Sequence, residues 1–218
     1  MPDLNHEFLT VCVENDILMF GEFTLKSGRI SPYFFNAGNF DRGDLLLALG
    51  RAFAGMLAAN FTQPYMLYGP AYKGIPLAAA TAVQLAAQHD INVPYAFNRK
   101  EAKDHGEGGI IVGAPLQGRV IILDDVITAG TSVNESVDII RAAGAIPHAI
   151  CIALDRQELA DGESLSATEK ISRQYDLPVH ALIKLDDLIA YLGHSDELAG
   201  HLQAVESYRS RYGSGSSD

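Results

Sequence analysis

The chain has 218 residues, 48% of them hydrophobic, which suits one large α/β domain with a sizeable buried core. Its 16 Lys and Arg face 27 Asp and Glu, a formal charge of −11 that argues against a nucleic-acid binder and makes any local cluster of cations informative. No apolar run approaches a membrane span, no basic-then-apolar leader opens the chain, and Cys12 and Cys151 lack metal-ligand spacing, so a cytoplasmic protein with two reduced thiols is expected. Leu4, Phe8, Val11, Cys12 and Leu18 approximate a helical stripe. Glu22 to Lys26 and Ser31 to Phe35 read as a hairpin around Ser27-Gly28. Residues 42–59 predict an Ala/Leu-rich helix, and Tyr65 to Tyr68 a short strand ended by Gly69-Pro70. An Ala-rich helix follows from Ile75 to about Gln88. Val93 to Phe97 reads as a strand, 98–109 as a polar loop, and Ile110 to Val112 and Arg119 to Leu123 as strands. Residues 132–143 form a helix with Val133, Val137 and Ile140 on one face. His148 to Leu154 and Val179 to Ile183 read as strands, and the C-terminal third is mostly helical.

Strands alternating with helices from 65 to 154 imply βαβ units. The expected fold is α/β, with a central, mostly parallel sheet flanked by helices. Residues 1–40 form an N-terminal helix and hairpin cap, and 41–212 the core of the same single domain. The tail 213–218 has linker composition and is expected to be disordered.

The stretch Val120-Ile121-Ile122-Leu123-Asp124-Asp125-Val126-Ile127-Thr128-Ala129-Gly130-Thr131-Ser132 carries most of the chemistry. Its branched apolar run reads as a strand buried on both faces. Asp124 and Asp125 then fall at the carboxyl end of a central strand, where open α/β sheets bind ligands. Residues 128–132 make a tight turn at a helix start, and Gly130 lets the backbone come close. Free N–H groups and hydroxyls there form an anion cradle. Two acids beside a phosphate nest suit a ribose 5-phosphate.

Three further segments have two readings each. Gly69-Pro70-Ala71-Tyr72-Lys73-Gly74 is an ordinary strand-to-helix loop or a second anion loop, and it lacks the ending of a Walker A motif. Residues 98–109 hold Arg99, Lys100, Lys103 and His105 with three glycines in the last four positions, either a solvated loop or a lid that closes over a polyanion. Phe34-Phe35 is core or a base contact. Arg156, just beyond a strand, is a surface residue or the bidentate partner of a carboxylate.

The Asp124–Ser132 run closely resembles the ribose-phosphate signature of type I phosphoribosyltransferases. The 69–76 loop matches that family's diphosphate loop, and Arg99-Lys100-Glu101-Ala102-Lys103-Asp104-His105-Gly106-Glu107 resembles its orotate phosphoribosyltransferase branch. The resemblance runs to about residue 212 and implies transfer of ribose 5-phosphate from 5-phosphoribosyl 1-diphosphate to orotate, in pyrimidine nucleotide synthesis. Asp124 and Asp125 would hold the ribose hydroxyls, and residues 126–132 (Val126, Ile127, Thr128, Ala129, Gly130, Thr131, Ser132) the 5-phosphate side. Lys26, Tyr72, Lys73, Arg99, Lys100, Lys103 and His105 would meet the diphosphate. Lys26, Phe34, Phe35, Thr128 and Arg156 would meet orotate. The catalytic set would be Asp124, Asp125, Lys103, His105 and Lys26. The resemblance also implies a cis peptide between Ala71 and Tyr72. It implies Mg²⁺ held mainly by substrate oxygens and water, and a homodimer whose 98–109 loop serves the partner's site. A purine phosphoribosyltransferase would share residues 120–132 without needing Arg156 and Lys26. A phosphoribosyl-diphosphate-sensing regulator that binds RNA would need a basic patch that this acidic chain lacks.

Overall fold

A computed structural model describes residues 4–25, 27–103, 109–159 and 162–215. The chain opens with helix α1 (Leu4–Glu14), an antiparallel pair β1 (Leu18–Thr24) and β2 (Ile30–Phe35), and a short 3₁₀ turn at Ala37–Asn39. The core follows as α2 (Gly43–Asn60), β3 (Met66–Gly69), α3 (Gly74–His89), β4 (Tyr95–Lys103), β5 (Gly109–Gly113), β6 (Arg119–Val126), α4 (Thr131–Ala142) and β7 (Ile146–Asp155). It ends with α5 (Ala167–Tyr175), β8 (Val179–Lys184), α6 (Leu185–Gly193) and α7 (Ala199–Tyr212). No helix among the described residues is long and apolar enough to cross a membrane.

The described core strands form one sheet in the order β5-β4-β3-β6-β7-β8, parallel except for β5 against β4. Apolar side chains alternate between its two faces. Leu67, Ile121, Leu123 and Cys151 enter the layer under α1, α2, α3 and α6. Tyr68, Val120, Ile122, Ile150 and Ile152 enter the layer under α4 and α5. This two-sided burial explains the unbroken Val/Ile/Leu runs. Each fully buried branched side chain contributes about 1.5–3 kcal/mol. Helix α5 starts in a capping box, Ser166 Oγ accepting the Glu169 N–H while Glu169 accepts the Ser166 N–H. Both cysteines are buried, and burial pushes their thiols well up.

Strand order sets the position of the site. From β3 the chain winds outward to β4 and β5, then returns to lay β6 on the other side of β3 and winds away through β7 and β8. The winding direction therefore reverses between β3 and β6. A crevice outside the carboxyl ends of two such strands is the general ligand position of open α/β sheets.

Four expectations need correction. Leu18 is the first residue of β1, because the chain turns at Asp16, which has φ 53. The first hairpin strand thus begins well before Glu22. Strand β6 runs through both aspartates to Val126, with Asp124 opposite Ile152 and Val126 opposite Leu154 on β7. Strand β4 does not stop at Phe97: it continues to Lys103, which pairs with Gly109, so residues 98–103 and 109 of the expected loop belong to a β-ribbon. The tail departs from disorder at its start, where Gly213 bridges Glu158 and the Ser214 N–H donates to the Gln157 carbonyl at 2.7 Å.

Candidate active site

Asp124 and Asp125 sit at the end of β6, each 6% exposed. The Asp125 N–H donates to Asp124 Oδ1 and the Val126 N–H to Asp125 Oδ1, both at 2.9 Å. These local bonds hold the carboxylates in place against their burial. Burial, and then the neighbouring Asp125 charge, push Asp124 up to about 6, while a hydrogen bond from the Ser132 hydroxyl acts the other way. Lys73 Nζ lies 2.7 Å from Asp125 Oδ2. The lysine is more than half exposed, so its head reaches the crevice from the β3–α3 loop.

The turn 127–130 leads into α4. Gly130 has φ 75, and a Cβ there would come within 2.6 Å of Ile171 Cδ1 on α5. Both the left-handed backbone and the close packing select glycine. No side chain caps α4, so its first-turn N–H groups are available to a ligand. Ile127 is buried, whereas Thr128, Ala129 and Thr131 are exposed and Val126 and Ser132 half-buried. The two acids and the turn expected to cradle an anion thus lie side by side.

The β3–α3 loop folds back on itself as tightly as backbone allows. A Cβ on Gly69 would fall 2.0 Å from the Gly74 carbonyl oxygen, and one on Gly74 would fall 2.5 Å from Pro70 Cδ. The Ala71–Tyr72 peptide is cis, as the resemblance implied, and Tyr72 is 71% exposed. Sequence reasoning passed over Asn98. It is buried, and its Oδ1 accepts the Ala71 N–H at 2.8 Å, tying β4 to this loop. Its only signal was an uncharged amide at the edge of a cluster of cations.

The cations of β4 are divided. Lys100 Nζ lies 3.7 Å from Glu135 on α4, next to the anion cradle of its own chain. Arg99 Nη1 instead donates to the Gly109 carbonyl at 3.3 Å, across the ribbon. Lys103 is the last residue of β4. Lys26 and His105 lie outside the described residues.

Arg156 follows the end of β7, the strand beside β6, so it belongs to the same edge of the sheet. It is not a surface residue, its side chain being 13% exposed. Its Nε and Nη2 donate to Glu158 Oε1 at 3.0 and 2.6 Å. Nη2 also donates to Ser31 Oγ at 3.2 Å, and the guanidinium lies 4.6 Å from the centre of the Tyr33 ring. The cap hairpin is therefore bonded directly to the loop after β7. The aromatic pair of the hairpin is divided as well. Phe34 is exposed and stacked on Phe23 at 5.5 Å, whereas Phe35 is buried and packs on Phe40. A base contact from Phe35 would have to use its main chain.

Comparison with known proteins shows the family. The phosphoribosyl transferase domain family matches residues 37–174. An orotate phosphoribosyltransferase of Thioalkalivibrio sulfidiphilus is 57% identical over 213 residues, covering 98% of this chain and all of that one. The crystal structure of the Francisella tularensis orotate phosphoribosyltransferase superposes with a TM-score of 0.85 at 41% identity, over 95% of this chain and all of that one. The Mycobacterium tuberculosis enzyme, solved in complex with 5-phospho-α-D-ribosyl 1-diphosphate, shares the fold at 20% identity and a TM-score of 0.63, over 86% of this chain and 99% of that one. With its match to the domain family and its near full-length identity to these enzymes, the chain belongs to the orotate phosphoribosyltransferases.

Proposed function

We propose that this chain transfers ribose 5-phosphate from 5-phosphoribosyl 1-diphosphate to a ring nitrogen of orotate, giving orotidine 5′-monophosphate and diphosphate for pyrimidine nucleotide synthesis. The observation that carries the reading is the adjacent acid pair at the end of β6, with the Gly130 cradle on one side and Lys73, 2.7 Å from Asp125, on the other. The bond from the ribose to the leaving diphosphate breaks ahead of attack, so positive charge develops on the sugar. Asp124 and Asp125 hold the ribose hydroxyls and stabilise that charge. Lys73, Arg99, Lys100, Lys103, His105 and Lys26 neutralise the departing diphosphate, and the preorganised charges need little rearrangement during reaction. Closure of the 98–109 segment excludes water that would otherwise hydrolyse the activated ribose. The direct test is loss of orotate absorbance with 5-phosphoribosyl 1-diphosphate and Mg²⁺, with adenine and hypoxanthine as competing bases. Consumption of a purine but not of orotate would overturn the reading.

Mg²⁺ fits the donor set. Asp124 and Asp125 are hard carboxylates in the crevice, and among the described residues no group of three or more His, Cys, Asp or Glu could cage a metal. Because Mg²⁺ dehydrates reluctantly, the ion would be held mainly by substrate oxygens and water, with these aspartates behind it, and would supply charge neutralisation at the diphosphate. The acting unit is a homodimer in which Arg99, Lys103 and His105 serve the partner's site while Lys100 serves its own. Exposed apolar Val83 on α3, Tyr95 on β4 and Ile110 on β5 support a covered face on these elements, and the Lys100–Glu135 pair supports the division. The cytoplasm, where orotate and its phosphoribosyl donor would meet the enzyme, is its location.

Two results are expected from this reading. A crystal grown with phosphate or a nucleotide has an anion bonded to the backbone N–H groups between Thr128 and Ser132. A 5-phosphate found elsewhere removes that assignment. Arg156→Ala raises the orotate KM and lowers kcat/KM for orotate, with binding of 5-phosphoribosyl 1-diphosphate nearly intact. Loss of one charged hydrogen-bond partner costs about 1.5–3 kcal/mol, or roughly 10- to 150-fold. Steady-state kinetics with each substrate varied in turn checks it, and an unchanged orotate KM takes Arg156 out of the base site.

A further inference from the structure

Arg156 is not simply a cation waiting for a carboxylate, because it already has one. A single oxygen, Glu158 Oε1, accepts from Arg156 Nε, from Arg156 Nη2 and from the Tyr33 hydroxyl, the last at 3.1 Å. The second Nη2 proton is directed to Ser31 Oγ, and Ser31 in turn donates to the Tyr33 carbonyl at 2.7 Å. Burial pushes the Tyr33 phenol well up, so it remains a donor to Glu158. The Nε–Nη2 edge of the guanidinium is thus fully used inside the protein. Among the described residues no hydrogen bond uses Nη1, which leaves that side to meet a ligand.

The loop that carries Glu158 is held from three directions. It is fixed from the chain end, where the Leu159 N–H donates to the Tyr212 carbonyl at 2.8 Å and the Ser214 N–H to the Gln157 carbonyl at 2.7 Å. From the cap, Arg29 Nη1 donates to the Leu159 carbonyl at 2.6 Å. From α6, the Asp186 N–H and carboxylate exchange two 3.0 Å bonds with the Gln157 amide. Tyr208 on α7 packs edge-on against Tyr33 at 6.1 Å. A long, flexible arginine needs such an arrangement, since a site left loose by its supporting residues loses recognition. A charge-assisted double bond to one carboxylate oxygen supplies both the strength and the direction.

We infer that Glu158 is a positioning residue for base recognition: it clamps the Nε–Nη2 edge of Arg156, so that the Nη1 side is presented to the orotate carboxylate. This rests on the reading of Arg156 as the orotate contact. It makes the pair, rather than Arg156 alone, the determinant of selectivity for a carboxylated pyrimidine.

The test is a double-mutant cycle read by kinetics. Glu158→Ala raises the orotate KM roughly tenfold and leaves the KM for 5-phosphoribosyl 1-diphosphate within about twofold. Glu158→Gln, which keeps an acceptor in place, restores part of the loss. In an Arg156→Ala background, Glu158→Ala brings no further loss, because there is no guanidinium left to position. Should Glu158→Ala fail to fold, Glu158→Met fills a similar volume without an acceptor and carries the same expectation. An orotate KM that stays level or falls in Glu158→Ala would mean that Arg156 holds its own place and Glu158 only competes with substrate. Equal losses in both backgrounds would mean a general structural role. Either result overturns the inference while Arg156→Ala, measured alone, still decides the underlying reading. If no variant at either position moves the orotate KM, both fall together.

Discussion

Asp124→Asn is expected to slow turnover by about 10²- to 10³-fold and, above pH 6, to make the protein more stable. On the proposed mechanism, the first effect follows from losing a fixed negative charge beside a sugar that becomes positive. The second follows from the cost of keeping that charge buried in the absence of substrate. Burial and the Asp125 charge push Asp124 up to about 6 from an ordinary 3.8. Between those values the folded chain binds more protons than the unfolded chain. Stability from this group therefore rises as pH falls through 6 toward 4, and is lower by on the order of 3 kcal/mol above the window. The amide can still accept the Asp125 N–H, so the substitution removes the charge while keeping the bond. Thermal melts of the two proteins should differ most at pH 7–8 and converge toward pH 4. In the wild type, kcat/KM for 5-phosphoribosyl 1-diphosphate should fall as pH drops through about 6, with protonation of Asp124. A variant that is no more stable than wild type at pH 8 would mean that the carboxylate is not held at a cost.

The acid pair was legible in the sequence because its physical causes are local. Four branched apolar residues demand a two-faced buried strand, and hydroxyls with glycine after two acids demand a turn into a helix. Charged and polar residues are seldom buried, so sequence alone ends these strands at Leu123 and Phe97. In the fold, the pairing of Asp124 with Ile152 keeps β6 going to Val126. The antiparallel return of β5 likewise draws β4 out to Lys103. Tertiary partners override local preference at both places, and both carry candidate site residues.

Other features lay beyond any local pattern. Lys73 and Asp125 are distant in the chain and meet only because β3 and β6 are neighbours at the point where strand order reverses. Asn98 reaches Ala71 for the same reason, across β3 and β4. Chemistry makes Arg156 a candidate carboxylate partner, and nothing in the Arg156-Gln157-Glu158 spelling says that the two charges close on each other. That closure depends on the positive φ of 49 at Gln157, which turns the loop back, and on Ser31 and Tyr33 arriving from the far end of the chain. The order at Gly213 and Ser214 was hidden by a linker-like composition, since their pairing to Gln157 and Glu158 uses only backbone groups.

On the proposed homodimer, mixed dimers test whether the β4–β5 ribbon of one chain serves the other. Lys103→Ala and Asp125→Asn homodimers should each lose about 10²- to 10³-fold in rate, because each lacks one element of the transition-state electrostatics. Co-expressed or refolded together, they form hybrids. If Lys103 serves the partner, the site built on the Lys103→Ala chain keeps its own Asp125 and borrows an intact Lys103, while the other site carries both changes. Random pairing at equal amounts makes about half the dimers hybrid, each with one good site, so activity returns to roughly a quarter of wild type. Lys100 supplies the control. Its ammonium pairs with Glu135 on α4 of its own chain, beside its own anion cradle. A hybrid of Lys100→Ala with Asp125→Asn therefore contains no intact site, and its activity should stay at the level of the separate variants. Recovery in the Lys103 mixture but not in the Lys100 mixture would divide the ribbon's cations between the two sites. No recovery in either, with hybrids shown to be present, would mean that the ribbon works within its own chain. Recovery in both would assign Lys100 to the partner as well.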